Sequence, residues 1–385
     1  MKPEDFLRYQ LKTMDTVLKE DIQYHGKNYW KEVYFIPNAL TPVGINDVDL
    51  SIDFMGKHLK YPICVGSITG GHKKFTPINE KIAEFTAKYK IAQGVGDQRY
   101  LLEEKVNPDI LESFQIIREK NPNGLVLANI SGTVIMQTAD YIKAVQKIVD
   151  SIKADGVEIW VSPLLDILVD PQNTGYQGLV DRLQNLTYQL HVPIFIKSFT
   201  TGLSNEDIRP LWDVGVAGIN IQGVGGTSIA RIETVKGLTT SQKQTYPPIK
   251  RPFDFWGIPT VWSLLDISLR PENRDIPLIV GGGIRNGREA VKALALGADL
   301  VSFAYPVLIE IMEDFGYPDE ENLKNWFLKI ITQMKITMSL MGARNIKELR
   351  QIVRIRTILV GRTHEWVRGR NLTFPPKHLK DVCSP

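Results

Sequence analysis

One stretch, from Pro277 to Asp299, constrains the fold of this chain more than any other. The three apolar residues after Pro277, Leu278–Val280, are typical of a buried strand, Gly281–Gly283 turns the backbone, and a helical pattern follows directly. Glycine leaves backbone amides accessible and a helix start carries partial positive charge, so such a turn suits a phosphate. The next apolar segment, Leu300–Ala304, predicts another parallel strand. The stretch therefore indicates the end of a repeating β/α chain.

The same unit recurs upstream. Eight short apolar segments, each with a helical pattern beside it, favour a closed (β/α)8 barrel, the TIM-barrel class, over a doubly wound open sheet. We predict an N-terminal arm over 1–60, the barrel over 61–350 as a single domain with helices at its C-terminal end, and an extension over 351–385. The polar interval 234–257 predicts either a mobile lid or an ordinary surface insertion. The strands are predicted at 62–66, 91–95, 125–129, 156–161, 193–197, 217–221, 277–281 and 300–304.

Composition narrows the classes of function. The 385 residues are 43% hydrophobic and carry a net charge of +3, which argues against a nucleic-acid partner. The six histidines lack ligand spacing, so a zinc site is not expected. Cys64 lies in an apolar strand and is interpreted as a buried thiol. No run approaches the roughly twenty apolar residues that span a bilayer, and the charged N-terminus lacks a signal core, so we expect a cytoplasmic protein.

The reactive face of such a barrel is built from the C-terminal ends of its strands, so candidate residues can be collected directly. The set contains one lysine, two glycine-rich loops on successive strands and few carboxylates, which suits a phosphorylated cofactor with a ring better than a metal hydrolase or a glycosidase. Lys197 is either a Schiff-base nucleophile or the partner of an anionic cofactor ring, and the two loops favour the second interpretation. The set is Thr69–Gly71, Gln98, Arg99, Asn129, Ser162, Lys197, Gly225–Thr227, Gly282, Gly283, Arg285, Ala304 and Tyr305.

From about residue 60 to 370 the sequence resembles the type 2 isopentenyl-diphosphate isomerases, FMN enzymes built on a (β/α)8 barrel. The resemblance implies an enzyme that moves a double bond in a prenyl diphosphate, with reduced flavin as acid and base. It also implies magnesium, NAD(P)H as a reductant and a homo-oligomer. The matching segments are Ile68–Gly71, Gly94–Arg99, Ala128–Asn129, Ile194–Lys197, Gly223–Ser228, Phe255–Thr260, Gly282–Arg285 and Ala293–Asp299.

The resemblance also implies roles for the matching residues. Thr69 and Gly70 would line the isoalloxazine ring and Asn129 would hydrogen-bond it. Lys197 would sit near N1 and O2, where reduced flavin gathers negative charge. Arg99 would bind the substrate diphosphate, because a guanidinium matches phosphate oxygens. Gln98 and Ser162 would lie beside the substrate, and the residues that would hold the FMN phosphate or adjoin it are Gly225, Gly226, Thr227, Gly282, Gly283, Arg285, Ala304 and Tyr305.

The substrate side departs from the family pattern. The family's fourth strand ends in His-x-Asn-x-x-Gln-Glu, and this chain has Trp160, Ser162, Leu165 and Asp166 at those positions. Leu165 replaces the glutamine at the reacting carbons and cannot form a hydrogen bond, whereas Asp166 keeps a carboxylate that suits a cation. Asp97 also replaces a small hydroxyl residue beside the flavin.

Three interpretations stay open from the sequence. The first is a prenyl-diphosphate isomerase with a reshaped pocket, in which Lys197, Leu165 and Trp160 are the candidate residues at the reaction centre. The second is an FMN oxidoreductase or isomerase on a different apolar small molecule, since Trp160 and Leu165 make the pocket more apolar. The third is a flavin-binding homologue without turnover.

Overall fold

The computed structural model describes residues 3–170, 175–236, 252–312 and 320–375. The strands of this part of the chain are β1 (Val33–Phe35), β2 (Ile52–Phe54), β3 (Lys57–Leu59), β4 (Ile63–Val65), β5 (Ala92–Gly94), β6 (Val126–Ser131), β7 (Gly156–Val161), β8 (Ile194–Ser198), β9 (Gly218–Gln222), β10 (Leu278–Gly281), β11 (Leu300–Phe303) and β12 (Thr357–Leu359).

The helices of the same ranges surround these strands. They are α1 (Pro3–Lys19), α2 (Thr76–Tyr89), α3 (Pro108–Lys120), α4 (Gly132–Gln137), α5 (Tyr141–Ser151), α6 (Pro163–Val169), α7 (Leu179–Gln189), α8 (Asn205–Asp213), α9 (Ile229–Lys236), α10 (Thr260–Ser268), α11 (Gly287–Ala295), α12 (Tyr305–Ile311), α13 (Glu320–Met341), α14 (Ile346–Arg356) and α15 (Gly361–Gly369).

Strands β4 to β11 follow one another around a closed parallel barrel, and β11 returns to pair with β4. The predicted (β/α)8 barrel is therefore confirmed, and each of the eight strands lies where an apolar segment predicted it. The residues of β6 and β8 are buried throughout, as expected for strands covered by helices on one side and by the barrel interior on the other. Cys64 in β4 is also buried, as predicted, and its burial raises the pKa of the thiol to about 12.

Local capping explains why helices start directly after strand-end loops. The Ser204 hydroxyl accepts from the backbone N–H of Asp207, and the Ser204 backbone N–H donates to the Asp207 carboxylate, so α8 begins at the predicted cap. Asn286 caps α11 immediately after the glycine turn, where its side chain accepts from the backbone N–H of Glu289 at 2.9 Å. Both helices therefore point their N-termini toward the C-terminal end of the barrel, where the candidate site lies.

The N-terminal arm contains structure that the sequence patterns did not predict. Helix α1 packs against α9, and the chain after it forms an antiparallel bridge in which Gln23 lies opposite Thr227. The backbone N–H of Tyr24 donates to Gly226 O (2.7 Å), and that of Ser228 donates to Ile22 O (2.9 Å). The arm therefore crosses the barrel mouth and contacts the loop after β9 directly.

The C-terminal segment contacts both the N-terminal arm and the barrel. Strand β12 pairs with β1, with Val33 opposite Leu359. The guanidinium of Arg370 binds the fully buried carboxylate of Asp266 at 2.8 Å, so this arginine is a structural contact and not a solvated charge. The predicted helices at the C-terminal end of the barrel include α13 and α14, which Gly342 separates by adopting a left-handed φ of 83°.

Parts of two loop segments lie outside the described residues. Within the interval 234–257, the structure describes 234–236 and 252–257, and the lid prediction falls mainly on the segment between them. Residues 171–174, in the loop after α6, also lie outside the described residues. None of the described helices is long and apolar enough to cross a membrane.

Candidate active site

Two glycine loops meet at the C-terminal end of the barrel, one after β9 (Gly223–Thr227) and one after β10 (Gly282–Arg285). A Cβ added to Gly226 would lie 2.8 Å from Gly283 N, so the two backbones approach more closely than any side chain permits. Gly283 has a φ of 77°, which only glycine adopts without strain. Thr260 fixes the second loop by donating to one of its carbonyls at 2.7 Å. The loops form one backbone surface of the kind that holds a phosphate.

Arg285 is the cation of this surface. Its guanidinium donates to the uncharged side-chain oxygen of Gln23 at 2.7 Å and lies over the ring of Tyr305 at 5.6 Å. Among the described residues, no carboxylate lies within ion-pair distance of it. Burial lowers the pKa of Arg285, and the nearby Glu289 carboxylate, which accepts from the Arg285 backbone N–H at 2.8 Å, opposes this shift only in part. This position therefore favours a bound anion.

The N-terminal arm completes the loop surface. Gln23 links its two halves, because its side chain accepts from Arg285 and donates to Thr227 Oγ at 3.1 Å. The sequence patterns missed this residue, since nothing near Gln23 indicated that the arm would return to the barrel.

Asn129, at the C-terminal half of β6, is a buried amide whose side-chain oxygen has no hydrogen-bond partner among the described residues. An unpartnered buried oxygen is costly, so it points to a ligand with a donor group. The other two residues predicted to line the ring are used inside the fold. Thr69 donates to Asn79, and a Cβ on Gly70 would lie 2.3 Å from the ring of Phe114. Gly70 therefore allows the loop after β4 to pack closely against α3.

Lys197 does not stand alone in the barrel. Its ammonium donates to Glu158 Oε2 and to Ser67 Oγ, both at 2.8 Å, and its exposed fraction is only 3%. Glu158 was missed by the sequence analysis because it lies in the middle of β7 and not at a strand end. The expectation that carboxylates are scarce at this site is therefore wrong for the residue next to the key lysine.

Arg99 is already paired. Its guanidinium binds Asp97 through two hydrogen bonds, Nε to Oδ1 at 3.0 Å and Nη2 to Oδ2 at 2.7 Å. The indole N–H of Trp160 donates to the same Asp97 carboxylate at 3.0 Å, and the guanidinium lies 5.9 Å from the indole ring. Burial alone would lower the pKa of Arg99, but the Asp97 carboxylate raises it above its ordinary value. The predicted diphosphate-binding arginine thus carries its own counter-ion.

Asp166 lies in the first turn of α6. Its Oδ2 accepts from Tyr176 Oη and from Thr133 Oγ, the latter at 2.8 Å. Burial raises the pKa of the carboxyl, although these two hydrogen bonds oppose the shift. Within the described residues, no group of three or more His, Cys, Asp or Glu side chains is placed to hold a metal ion. The described side chains around Asp166 therefore do not supply enough acidic ligands to form a magnesium site by themselves.

Leu165 belongs to a group of apolar side chains at the barrel mouth, which we call the mouth cluster. The indole of Trp160 also contacts Phe199, with ring centroids 5.4 Å apart. Leu165 and Trp160 are each 7% exposed, so the two departures from the family pattern are buried in one apolar wall. The members of the mouth cluster are Ile22, Trp160, Leu165, Ile229 and Ile232.

Gln98 and Ser162 are not brought to the mouth. The side chain of Gln98 is fully buried, donates to the backbone of α5 and accepts from the backbone N–H of Asn129 at 2.9 Å. Ser162 is also fully buried and caps α6, accepting from the backbone N–H of Leu165 at 3.3 Å. Both side chains form hydrogen bonds inside the fold that hold neighbouring backbone segments in place.

A polar contact joins α1 to α9 beside the mouth cluster. Tyr9 Oη donates to Glu233 at 2.7 Å, and Lys236 forms an ion pair with the same carboxylate at 2.5 Å. The ammonium of Lys236 lies 3.4 Å from the centre of the Tyr9 ring. Burial lowers the pKa of Lys236 to about 8, although Glu233 opposes this shift. The contact attaches the N-terminal helix over the mouth.

The residues of the cofactor half fit a phosphate-bearing ring cofactor. A cation without a carboxylate partner, two close glycine loops and an orphaned buried amide oxygen lie at the same barrel end. The phosphate would be held by the loops and Arg285, and the ring by Asn129 and Lys197.

Comparisons with known proteins agree with this fit. A family model described as FMN-dependent dehydrogenase matches residues 173–355. A protein of Methanococcoides burtonii named isopentenyl-diphosphate delta-isomerase is 32% identical over 90% of this chain and 90% of its own length. One of the same name from Sulfurisphaera tokodaii is 30% identical over 97% of this chain and 98% of its own length.

Solved structures share the fold at low identity. The flavin-binding domain of baker's yeast flavocytochrome b2 superposes with a TM-score of 0.63 at 17% identity, covering 100% of this chain and 91% of that chain. A mandelate oxidase variant with (S)-mandelic acid gives a TM-score of 0.58 at 14% identity, covering 93% and 98%.

Proposed function

The chain belongs to the isopentenyl-diphosphate delta-isomerase family of FMN-dependent enzymes, and from that premise we propose that it moves a double bond in a prenyl diphosphate. The observation that carries the proposal is the cofactor half of the barrel mouth. There, Arg285 lies without a carboxylate partner beside two interlocked glycine loops. Reduced FMN, when bound, supplies the acid and base that exchange a proton with the substrate carbons.

The residues of the chain have separate tasks under this proposal. Arg285 and the glycine loops bind the phosphate and fix the position of the ring. Asn129 offers its free amide oxygen to a ring N–H, and Lys197 places a positive charge near the ring edge that becomes electron-rich. The mouth cluster excludes water from the reacting carbons, which strengthens electrostatic interactions inside the site.

The isomerase proposal is tested with deuterium. FMN-bound protein is reduced, supplied with magnesium and isopentenyl diphosphate in heavy water, and the products are examined by NMR. We expect deuterium in dimethylallyl diphosphate, and we expect none from protein stripped of FMN or from a Lys197→Met variant. A colourless protein that does not take up FMN would contradict the cofactor assignment, and absence of exchange in a yellow protein would contradict the isomerase.

A second candidate is favoured by one observation, the pair formed by Arg99 and Asp97. Because the carboxylate offsets the guanidinium charge, the substrate half presents little net attraction for a diphosphate. We propose, as this alternative, an FMN oxidoreductase or isomerase that acts on an apolar substrate without a diphosphate, with NAD(P)H as the reductant.

The alternative has its own measurement. NAD(P)H added without oxygen should bleach the flavin absorption band, and an apolar acceptor such as an enal or enone should restore it. Full bleaching by NAD(P)H together with recovery on an acceptor, and no deuterium exchange into prenyl diphosphates, would select this candidate. No response to any reductant of this class would exclude the NAD(P)H-dependent version.

A further inference from the structure

Glu158 is a buried carboxylate that the proposed mechanism does not use. It lies in the middle of β7, is 1% exposed, and is held by residues of three other strands or strand ends. Its Oε2 accepts from Lys197 Nζ at 2.8 Å and from Ser67 Oγ at 3.1 Å, and its Oε1 accepts from Asn220. Strand β5 leaves room for it, because a Cβ on Gly94 would lie 3.3 Å from Glu158 Oε2.

The surroundings of the pair keep its geometry fixed. Gln222 donates to the side-chain oxygen of Asn220 at 2.6 Å, which orients the Asn220 amide toward Glu158. Ser67 donates to Glu158 and accepts from Lys197, so it bridges both members. A network in which each member has a partner is rigid, and the ammonium is therefore held at one position.

Fold stability does not explain why the barrel interior contains this pair. Removing two charges from water costs several kcal/mol per ion, and a buried ion pair is often no more stabilising than apolar residues of the same volume. Glu158 lies two residues before Trp160 on β7, and Lys197 lies opposite Trp160 on β8, below the barrel end that carries the candidate cofactor residues. The position of the Glu158–Lys197 pair therefore suggests a role in the candidate active site rather than in folding.

We propose that Glu158 is a positioning residue that offsets the charge of Lys197 and thereby lowers the reduction potential of the bound FMN. The inference rests on the proposed function, since it requires FMN at this barrel end. Reduction places negative charge on the pyrimidine edge of a flavin, and an uncompensated ammonium beside that edge would favour the reduced form. With Glu158 at 2.8 Å, the lysine acts as half of a neutral pair, and the reduced form gains less.

The test is the reduction potential of the FMN-bound Glu158→Gln variant, measured by equilibration with a redox dye of known potential. The variant keeps the shape of the side chain and removes its charge. We expect reduced FMN to bind about tenfold more tightly relative to oxidised FMN, a rise of about 30 mV for a two-electron couple. The spectrum of the reduced flavin should also shift toward the anionic form. An unchanged or lower potential would overturn the proposal.

Two controls separate this effect from a general change in charge. Glu158→Asp keeps the carboxylate, so its potential should stay near that of the unchanged protein. Asp155→Asn removes a carboxylate paired with Arg118 (2.8 Å) and Lys57 (3.1 Å) at the opposite end of β7. Its potential should also be unchanged, and a rise equal to that of Glu158→Gln would overturn the local explanation.

A second pair of variants keeps the proposal testable where Glu158→Gln alone does not hold FMN. Lys197→Met leaves Glu158 without its cation, and the double variant Glu158→Gln with Lys197→Met restores a neutral pair. We expect a higher potential in the double variant than in Lys197→Met, and equal potentials would overturn the proposal. If the unchanged protein is colourless and does not take up FMN, the proposed function is contradicted, whereas FMN-bound variants with unchanged potentials would contradict only the role of Glu158.

Discussion

Two arginines at one barrel mouth are in opposite electrostatic situations. Arg285 lies against glycine loops with an uncharged amide as its partner, whereas Arg99 is bound by both oxygens of Asp97. Among the described residues, the first guanidinium has no carboxylate within ion-pair distance and so favours a bound anion, whereas the second is already paired with one. Under the proposed function, the barrel mouth therefore offers a strong site for the phosphate of a cofactor and a weaker site for the diphosphate of a substrate.

The largest effect should come from removing each arginine in turn. Arg285→Met keeps the packing of the side-chain stem but loses the charge, and we expect FMN to bind about 100-fold more weakly, or about 2.7 kcal/mol. Arg99→Met should change FMN affinity by less than about threefold, since its charge is already compensated. Fluorescence titration of the apoprotein measures both. Riboflavin, which lacks the phosphate, should bind the two variants alike, and equal losses of FMN affinity would remove the contrast.

The next effect tests whether the substrate half still supports the family's reaction. Leu165→Gln restores an amide in the mouth cluster, and we expect deuterium exchange into dimethylallyl diphosphate to rise about tenfold or more, because a positioned proton-transfer group contributes orders of magnitude. Leu165→Met is the matched control of similar volume and should give no gain. Exchange that is equal in both variants would show that Leu165 does not limit the isomerase.

A smaller effect should follow from freeing Arg99. Asp97→Asn keeps an acceptor for the indole N–H of Trp160 and removes the counter-ion of the guanidinium. We expect inorganic diphosphate to bind about fivefold more tightly, or about 1 kcal/mol, as measured by calorimetry. The gain should shrink at high salt. Asp97→Glu, which keeps the charge, is the control, and equal affinity in both variants would contradict the compensation argument.

A last prediction concerns the stability of the polar contact that attaches α1 to α9. Because the folded pKa of Lys236 is about 8 and its ordinary value is 10.5, the unfolded chain binds more protons between these values. The free energy of unfolding should therefore rise with pH across this window, by up to about 1.4 kcal/mol per pH unit, relative to a Lys236→Met variant. Urea unfolding at pH 8 and pH 10 measures the difference. If the free energy of unfolding changes equally with pH in the unchanged protein and in Lys236→Met, the lowered pKa of Lys236 is contradicted.

Sequence patterns predicted what local chemistry determines. Apolar strands, glycine turns and helix caps such as Ser204 are properties of a few adjacent residues, and they sufficed to predict the barrel and the two glycine loops at its C-terminal end. Glu158 and Gln23 act through partners on other strands, and a mid-strand glutamate carries no sign that it will meet a lysine on the next strand. Helix α1 was missed for a similar reason, because its partner α9 lies far along the chain.

The pairing of β1 with β12 sets an order of events during synthesis. Val33 leaves the ribosome long before Leu359 is synthesised, so β1 lacks its partner strand β12 while the barrel is being made. Closing so long a stretch of chain costs more entropy than pairing neighbouring strands, and contacts of this range slow folding. A chain truncated before β12 would leave β1 as an unpaired edge, open to a strand of another molecule.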